Sequence, residues 1–394
     1  MNEPRDPIAA VTHPDPYPYY ARLREVAPIR RDEELGLWIV TGASAVRAVL
    51  TSETCRVRPA AEPVPRALVG SPSGELFRHL VRMTDGPGHY PLKRAVSMAV
   101  SSLDPGSAAA EARRAADGLV ARMSPAAHPE RLADFAFRLP ALVMASLVGL
   151  APATRAASAD DLGDLVRGLA PGAPPVELRR GADAARRLRE RVRSLLAAPG
   201  TAGLATGLAA SLAGGMGPDD EFHVDLVADN AIGYMSQAYE ATAGLIGNTL
   251  VALGRHAEAR AELAARPGGL AALIREVARF DAPVQNTRRF VGANGSVAGE
   301  PMIEGETILV ILAAANRDPS ANPRPDRFDV SRPDRQAFTF GVGPHACPGE
   351  ALAVAIAEAG VASLLAAGVE PAGLVDGVTY RASVNTRVPL FGAA

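Results

Sequence analysis

The sequence predicts a mainly α-helical protein with small β-sheets. Two observations carry this. Residues 107–215 are rich in Ala, Leu and Arg and follow a helical pattern, broken at Pro125, at Ala151 and Pro152, at residues 171–175 and at Pro199 and Gly200. A long helix is predicted around residues 224–253, while the clearest extended stretches form one short hairpin near the start.

In chain order, residues 16–25 read as a short amphipathic helix after a proline stop. Residues 28–31 start a strand and residues 38–41 are its hairpin partner. Ser44 is expected to cap a helix through Val49 and Leu50. Residues 58–75 are rich in Pro, Gly, Ser and Ala without a clear period, and read as a loop with at most a short helix. A helix opening at residues 85–94 runs to about Ser101 and sets His89 and Lys93 four apart on one face. Both could donate to one carboxylate, although a solvated basic turn has the same pattern. Arginine runs such as residues 186–191 are most simply solvated helix faces.

On the long helix, Gln237 lies one turn before Ala241 and shares its side, whereas Thr242 is about 100° further round. Small residues here also suit close helix packing. Glu276 and Arg279 sit at i and i+3 on a helix from Leu270 and face one way, a pairing common on helix surfaces. Residues 282–289 follow that helix and carry Arg288 and Arg289. Residues 340–349 form a glycine- and proline-punctuated loop directly before the apolar run 350–366. Cys347 would therefore sit at a helix N-terminus, where N–H groups and the dipole favour an ionised sulfur. A buried cysteine in a capping loop is the plainer alternative.

Phe340, Gly343, His345, Cys347 and Gly349 match F-x-x-G-x-H-x-C-x-G, which resembles the haem-binding signature of the cytochrome P450 family. The resemblance covers nearly the whole chain. It implies one P450 domain over residues 1–394, where length alone would suggest two or three, with haem b between the long central helix and the cysteine loop. It makes Cys347 the metal ligand, lets Phe340 cover the sulfur side, and sets His89 and Lys93 on a haem propionate; lysine replaces the family's usual arginine and loses its planar fork. Counting back from Gly299 selects Arg289 over Arg288 as a further propionate donor, and two buried carboxylates bring in His345 beside it. Glu276 and Arg279, completed by Arg332, would brace the loop under the haem. Residues 58–75 would cover the pocket, residues 107–215 form a mobile lid, and residues 284–286 and 383–386 line the pocket.

The largest departure lies on the long helix. Residues 237–242 align with the family's A-G-x-[DE]-T-T, whose acid and first threonine deliver protons at the haem. Glu240 keeps the acid, but the threonine is Ala241, with Gln237 as a nearby polar group and Thr242 poorly placed to replace it.

Net charge of -2 gives no nucleic-acid footprint, and 48% hydrophobic residues support a large core. The two cysteines, Cys55 and Cys347, are far apart, so no disulfide framework is expected and a reducing cytoplasm fits. Residues 1–7 carry no apolar signal region or membrane anchor. The expected activity is haem-thiolate oxidation of a small-molecule substrate, a natural product or its precursor. Electrons would come from a ferredoxin and ferredoxin reductase, since no flavin or iron–sulfur segment is present, and a carrier protein is a further candidate partner. Alternatives are oxidative coupling, or another oxidation without net oxygen insertion, and a haem-binding protein without turnover.

Overall fold

The computed structural model describes residues 3–214 and 224–392. Residues 1, 2 and 215, which the sequence reading touches, lie outside the described residues. The helices are α1 Tyr17–Val26, α2 Ala43–Thr51, α3 Pro72–His79, α4 His89–Ser101, α5 Pro105–Met123, α6 Leu132–Val148, α7 Pro152–Leu169, α8 Pro175–Ala197, α9 Leu204–Ala213, α10 Val224–Arg255, α11 Ala257–Ala265, α12 Leu270–Phe280, α13 Leu312–Asn316 and α14 Glu350–Ala366. The strands are β1 Ile29–Asp32, β2 Leu37–Val40, β3 Cys55–Arg56, β4 Thr287–Val291, β5 Gly295–Val297, β6 Glu300–Met302, β7 Thr307–Val310, β8 Thr379–Tyr380 and β9 Pro389–Leu390. The expected mainly α class with small sheets is what the chain adopts. The expected breaks in the 107–215 stretch are present between α5 and α6, α6 and α7, α7 and α8, and α8 and α9, while Pro140 is carried inside α6.

Two compact units divide the chain: one comprises Met1–Arg56, Ala116–Phe137 and Glu240–Ala394, the other Val57–Ala115 and Arg138–Tyr239.

The first unit is organised on a five-stranded sheet of order β1-β2-β7-β4-β3. β1 and β2 form the predicted antiparallel hairpin, while β2 and β7 pair in parallel. Both faces of the sheet are covered. Trp38, Val40, Ile308 and Val310 join one apolar cluster, and the alternate residues Leu37, Ile39, Leu309 and Ile311 join another. That is the period of two expected of a strand buried on both sides. On the second face, Tyr17 donates to Asp281 at 2.9 Å, and Arg387 Nε donates to the same carboxylate at 2.9 Å. Arg387 also bonds the carbonyls of Val11, His13 and Pro14, tying the C-terminal segment to the first turns of the chain.

Ser44 does not cap α2. The N-cap is Gly42, and the Ala43 N–H donates to Asp318 Oδ2 at 2.8 Å, so a residue distant in sequence supplies the acceptor that Ser44 was expected to provide.

In the second unit, residues 58–75 are mostly loop, with a short 3-10 turn at Arg66–Leu68 and the start of α3, as expected. Ser71 accepts from the Gly74 N–H at 3.1 Å and starts α3 at Pro72. Arg189 on α8 donates to both oxygens of the fully buried Asp229 at 2.5 and 2.6 Å, and to Glu75 on α3 at 2.8 Å. His79 lies 2.6 Å from Asp229. Among the described residues, no helix is long and apolar enough to cross a membrane.

Candidate functional site

The loop from Phe340 to Gly349 presents one sulfur. Gly341 and Gly343 take φ of +70° and +73°, the left-handed region that side chains disfavour. A Cβ on Gly343 would also meet Thr51 Cγ2 at 2.9 Å and the Leu50 carbonyl at 3.1 Å, so the loop lies flush against the end of α2. The Cys347 N–H donates to the Phe340 carbonyl at 2.7 Å, closing the loop, and Phe340 itself is half-buried. Cys347 is exposed, and the Gly349 N–H donates to its Sγ at 3.3 Å directly before α14 begins at Glu350. That places a sulfur at a helix N-terminus, as the spacing predicts.

Cys55 has the opposite setting. It is buried in β3, and burial pushes its thiol up, against hydrogen bonds from Ser52 and Thr54 and the charge of Arg289.

The loop rests on a buried brace. Glu276 and Arg279 on α12 are both fully buried and joined by two bonds, Nε at 3.0 Å and Nη2 at 2.6 Å. Arg279 also reaches the carbonyls of Asn316, Pro325 and Arg327. Arg332 does join, but at 3.5 Å, and spends its other donors on the carbonyls of Pro323, Arg324 and Arg327. Arg335, which the sequence reading passed over, makes the shorter contact at 2.8 Å. Burial alone would push the Glu276 carboxyl up. The Arg279 bonds and charge, with the Asp329 N–H and Arg335, instead hold it below the usual carboxylate range. Buried Asn316 on α13 extends the brace, accepting from the Phe338 N–H at 2.6 Å and donating to Thr339 at 2.8 Å, just ahead of the loop. Its fork of bonds joins α13 to the segment entering the loop and needs the fold to be seen.

Arg289 is buried on β4 while Arg288 is exposed, as alternation along a strand requires. Its Nη1 donates to Thr287 and to the Arg288 carbonyl. His345 closes a short 3-10 turn, Gly343–His345, and is half-buried. Of the expected pocket-lining residues, Gln285 is fully buried and donates to Tyr17 Oη and the Ala282 carbonyl, and Asn286 donates to the Val384 carbonyl. These two side chains are engaged in the framework. Ser383 and Thr386 bond each other at 2.8 Å in the turn between β8 and β9.

On α10, Glu240 Oε1 accepts from Arg381 Nη1 at 2.8 Å, a partner no motif announces. Ala241 is half-buried. Thr242 is 1% exposed and its Oγ1 has no hydrogen-bond partner among the described residues.

The second unit holds the remaining residues. His89 is buried and Lys93 half-buried, both on α4 with the expected i, i+4 spacing. Gln237 is exposed, and its Nε2 donates back to the Gly233 carbonyl at 3.0 Å.

The donor set tests what the sulfur could hold. Among the described residues no group of three or more His, Cys, Asp or Glu could hold a metal ion, and the loop offers one exposed cysteine sulfur. A single protein sulfur suits a metal whose equatorial positions a macrocycle fills, and the exposed Sγ beside two backbone-only glycines leaves room for a flat group. The residues fit haem.

Comparison with known proteins points the same way. A family profile described as Cytochrome P450 matches residues 233–367. The chain is 27% identical over 390 residues to the 6-deoxyerythronolide B hydroxylase of Saccharopolyspora erythraea, covering 95% of this chain and 94% of that one. It is 27% identical over 367 residues to the 20-oxo-5-O-mycaminosyltylactone 23-monooxygenase of Streptomyces fradiae, covering 88% and 81%. The structure of P450BioI in complex with a hexadec-9Z-enoic acid-ligated acyl carrier protein matches with a TM-score of 0.81 at 25% identity, covering 95% of this chain and 97% of that one. Likeness along nearly the full length, on a shared fold and around a loop built to present one sulfur, makes this chain a member of the cytochrome P450 family, a monooxygenase that carries haem b.

Proposed function

We propose that this P450 hydroxylates a small natural product or its carrier-bound precursor, using dioxygen and electrons from a separate ferredoxin and ferredoxin reductase, in the cytoplasm, with Cys347 as the protein ligand of the iron. The observation that carries the assignment is the setting of Cys347: an exposed sulfur that accepts the Gly349 N–H at the start of α14. The substrate class is suggested by relatives named as a hydroxylase and a monooxygenase, and the carrier by the neighbour solved with one.

A thiolate-ligated haem supplies activation of dioxygen for insertion of one oxygen atom. The chain's residues do the rest. Cys347 holds the group from one side, with Phe340 and Gly349 shaping the loop around the sulfur. His89 and Lys93 hold one propionate, and Arg289 and His345 the other or a share of it, because buried carboxylates need compensating donors. Glu276, Arg279 and Arg332 keep the loop in place, and both units belong to one catalytic domain. Glu240 is the proton source. With Ala241 offering no hydroxyl, its proton travels through an ordered water, a polar group of the substrate, or Gln237 by way of water. Thr242, about 100° further round the helix, is a poor substitute for the missing hydroxyl.

That same Ala241 favours one second reading, oxidative coupling, which relies less on proton delivery. The test has two parts. Cys347→Ser abolishes the red-shifted band of the reduced carbon monoxide complex while Cys55→Ser keeps it; the reverse result would sink the assignment. Product formed under labelled dioxygen then separates the chemistries, since hydroxylation adds one labelled atom and coupling adds none.

A further inference from the structure

The partner of Glu240 is fixed more firmly than the bond between them. Arg381 follows β8 directly, and its N–H donates to the Val388 carbonyl at 3.0 Å, so the β8–β9 pairing sets its backbone. Its guanidinium lies over the Phe137 ring, 4.9 Å from the centroid, which sets the plane of the charged group. From there a single N–H reaches Glu240 Oε1 at 2.8 Å. The two side chains keep 32% and 27% of their exposure, against 0% for both Arg279 and Glu276. A lone, half-exposed ion pair opens readily, because water replaces what the partners lose.

We infer that Arg381 is the positioning residue of Glu240, turning the carboxylate towards the β8–β9 turn at rest and receiving it again after each proton transfer. The inference rests on the reading of Glu240 as the proton source. In the step itself an O–H bond of protonated Glu240 breaks and an O–H bond forms on the water or substrate group ahead of it. The carboxylate left behind is met by the Arg381 cation, and when the pair next opens, solvent at its half-exposed edge supplies the proton for the following transfer. No electrons move on either residue.

The experiment needs no knowledge of the substrate. Holoenzyme given NADPH, a plant-type ferredoxin and its reductase reduces dioxygen without substrate. Two electrons and two protons yield hydrogen peroxide; four and four yield two waters. Arg381→Gln should lower the share of electrons ending in water at least threefold, with NADPH consumption changed less than twofold, and Arg381→Lys should restore at least half of that share. Glu240→Gln should reproduce the loss, and adding Arg381→Gln to it should change nothing further. A separate readout is the infrared carboxylate band of the carbon monoxide-bound protein that disappears in Glu240→Gln. It should shift in Arg381→Gln and return towards its original position in Arg381→Lys. Should Arg381→Gln fail to hold haem, Phe137→Leu, which loosens the guanidinium but keeps both charges, should give a smaller change in the same direction. A normal water share in the Arg381 variants, or losses that add to that of Glu240→Gln, would overturn the inference while leaving Glu240 in place. A normal share in Glu240→Gln itself would overturn the proton-source reading and this inference together.

Discussion

Two glutamate–arginine pairs in the same unit are built for opposite ends. Glu276 is fully buried and accepts from Arg279 twice, from Arg335, from Arg332 and from the Asp329 N–H. Glu240 is half-exposed and accepts one bond, from Arg381. Charge and residue type are the same, so the difference comes from burial and from the number of donors. A buried carboxylate with every lone pair occupied cannot change partners without stranding a charge in a dry interior, whereas an edge carboxylate with one bond can. The first arrangement makes a frame and the second leaves a group able to move.

The contrast can be broken most directly at Glu276. Glu276→Ala strands up to three cations and should cost about 3–5 kcal/mol in denaturant unfolding, with loss of haem-loaded protein on purification. A cost below about 1 kcal/mol would mean that the brace is no frame. Next in size is the coupling of Glu276 to each later arginine. A double-mutant cycle should give about 1.5–3 kcal/mol for Arg335 and less for Arg332, matching contacts of 2.8 and 3.5 Å; the opposite order would restore Arg332 as the main third member.

Acid should expose the same asymmetry more gently. The Glu276 carboxyl lies below its ordinary value in the folded protein, so its contribution is fully present above the unfolded value and is lost as pH falls through the folded one. Melting temperature should thus fall below about pH 4, and Glu276→Gln should flatten that part of the profile. The smallest effect is expected at the movable pair, where Glu240→Gln should alter unfolding free energy by less than about 1 kcal/mol. A larger loss would mean that this pair too is framework.

What the sequence made legible follows the reach of local rules. The Cys347 loop, the Glu276 and Arg279 pairing and the helix breaks could be read because spacing within one turn or one loop encodes them. Arg289 and Arg288 are separated by strand alternation, the first buried and the second exposed. Three features failed or escaped for one reason, that their partners are remote. Asp318 caps α2 across the sheet instead of Ser44, Arg381 meets Glu240 from 141 residues away, and Arg335 out-competes Arg332 through the path of the chain after α13. Gln285, expected to line a pocket, instead turns inward because Tyr17 and the Ala282 carbonyl accept its amide.

Gly343 carries a consequence for engineering. Its backbone presses on Thr51 and Leu50, so the segment that presents Cys347 is moulded to a helix almost three hundred residues earlier in the chain. The signature is therefore not a portable cassette. Transplanting residues 340–349 onto another helical scaffold would carry the thiol without the surface that shapes its approach, and a useful graft must bring the end of α2 as the other half of the mould.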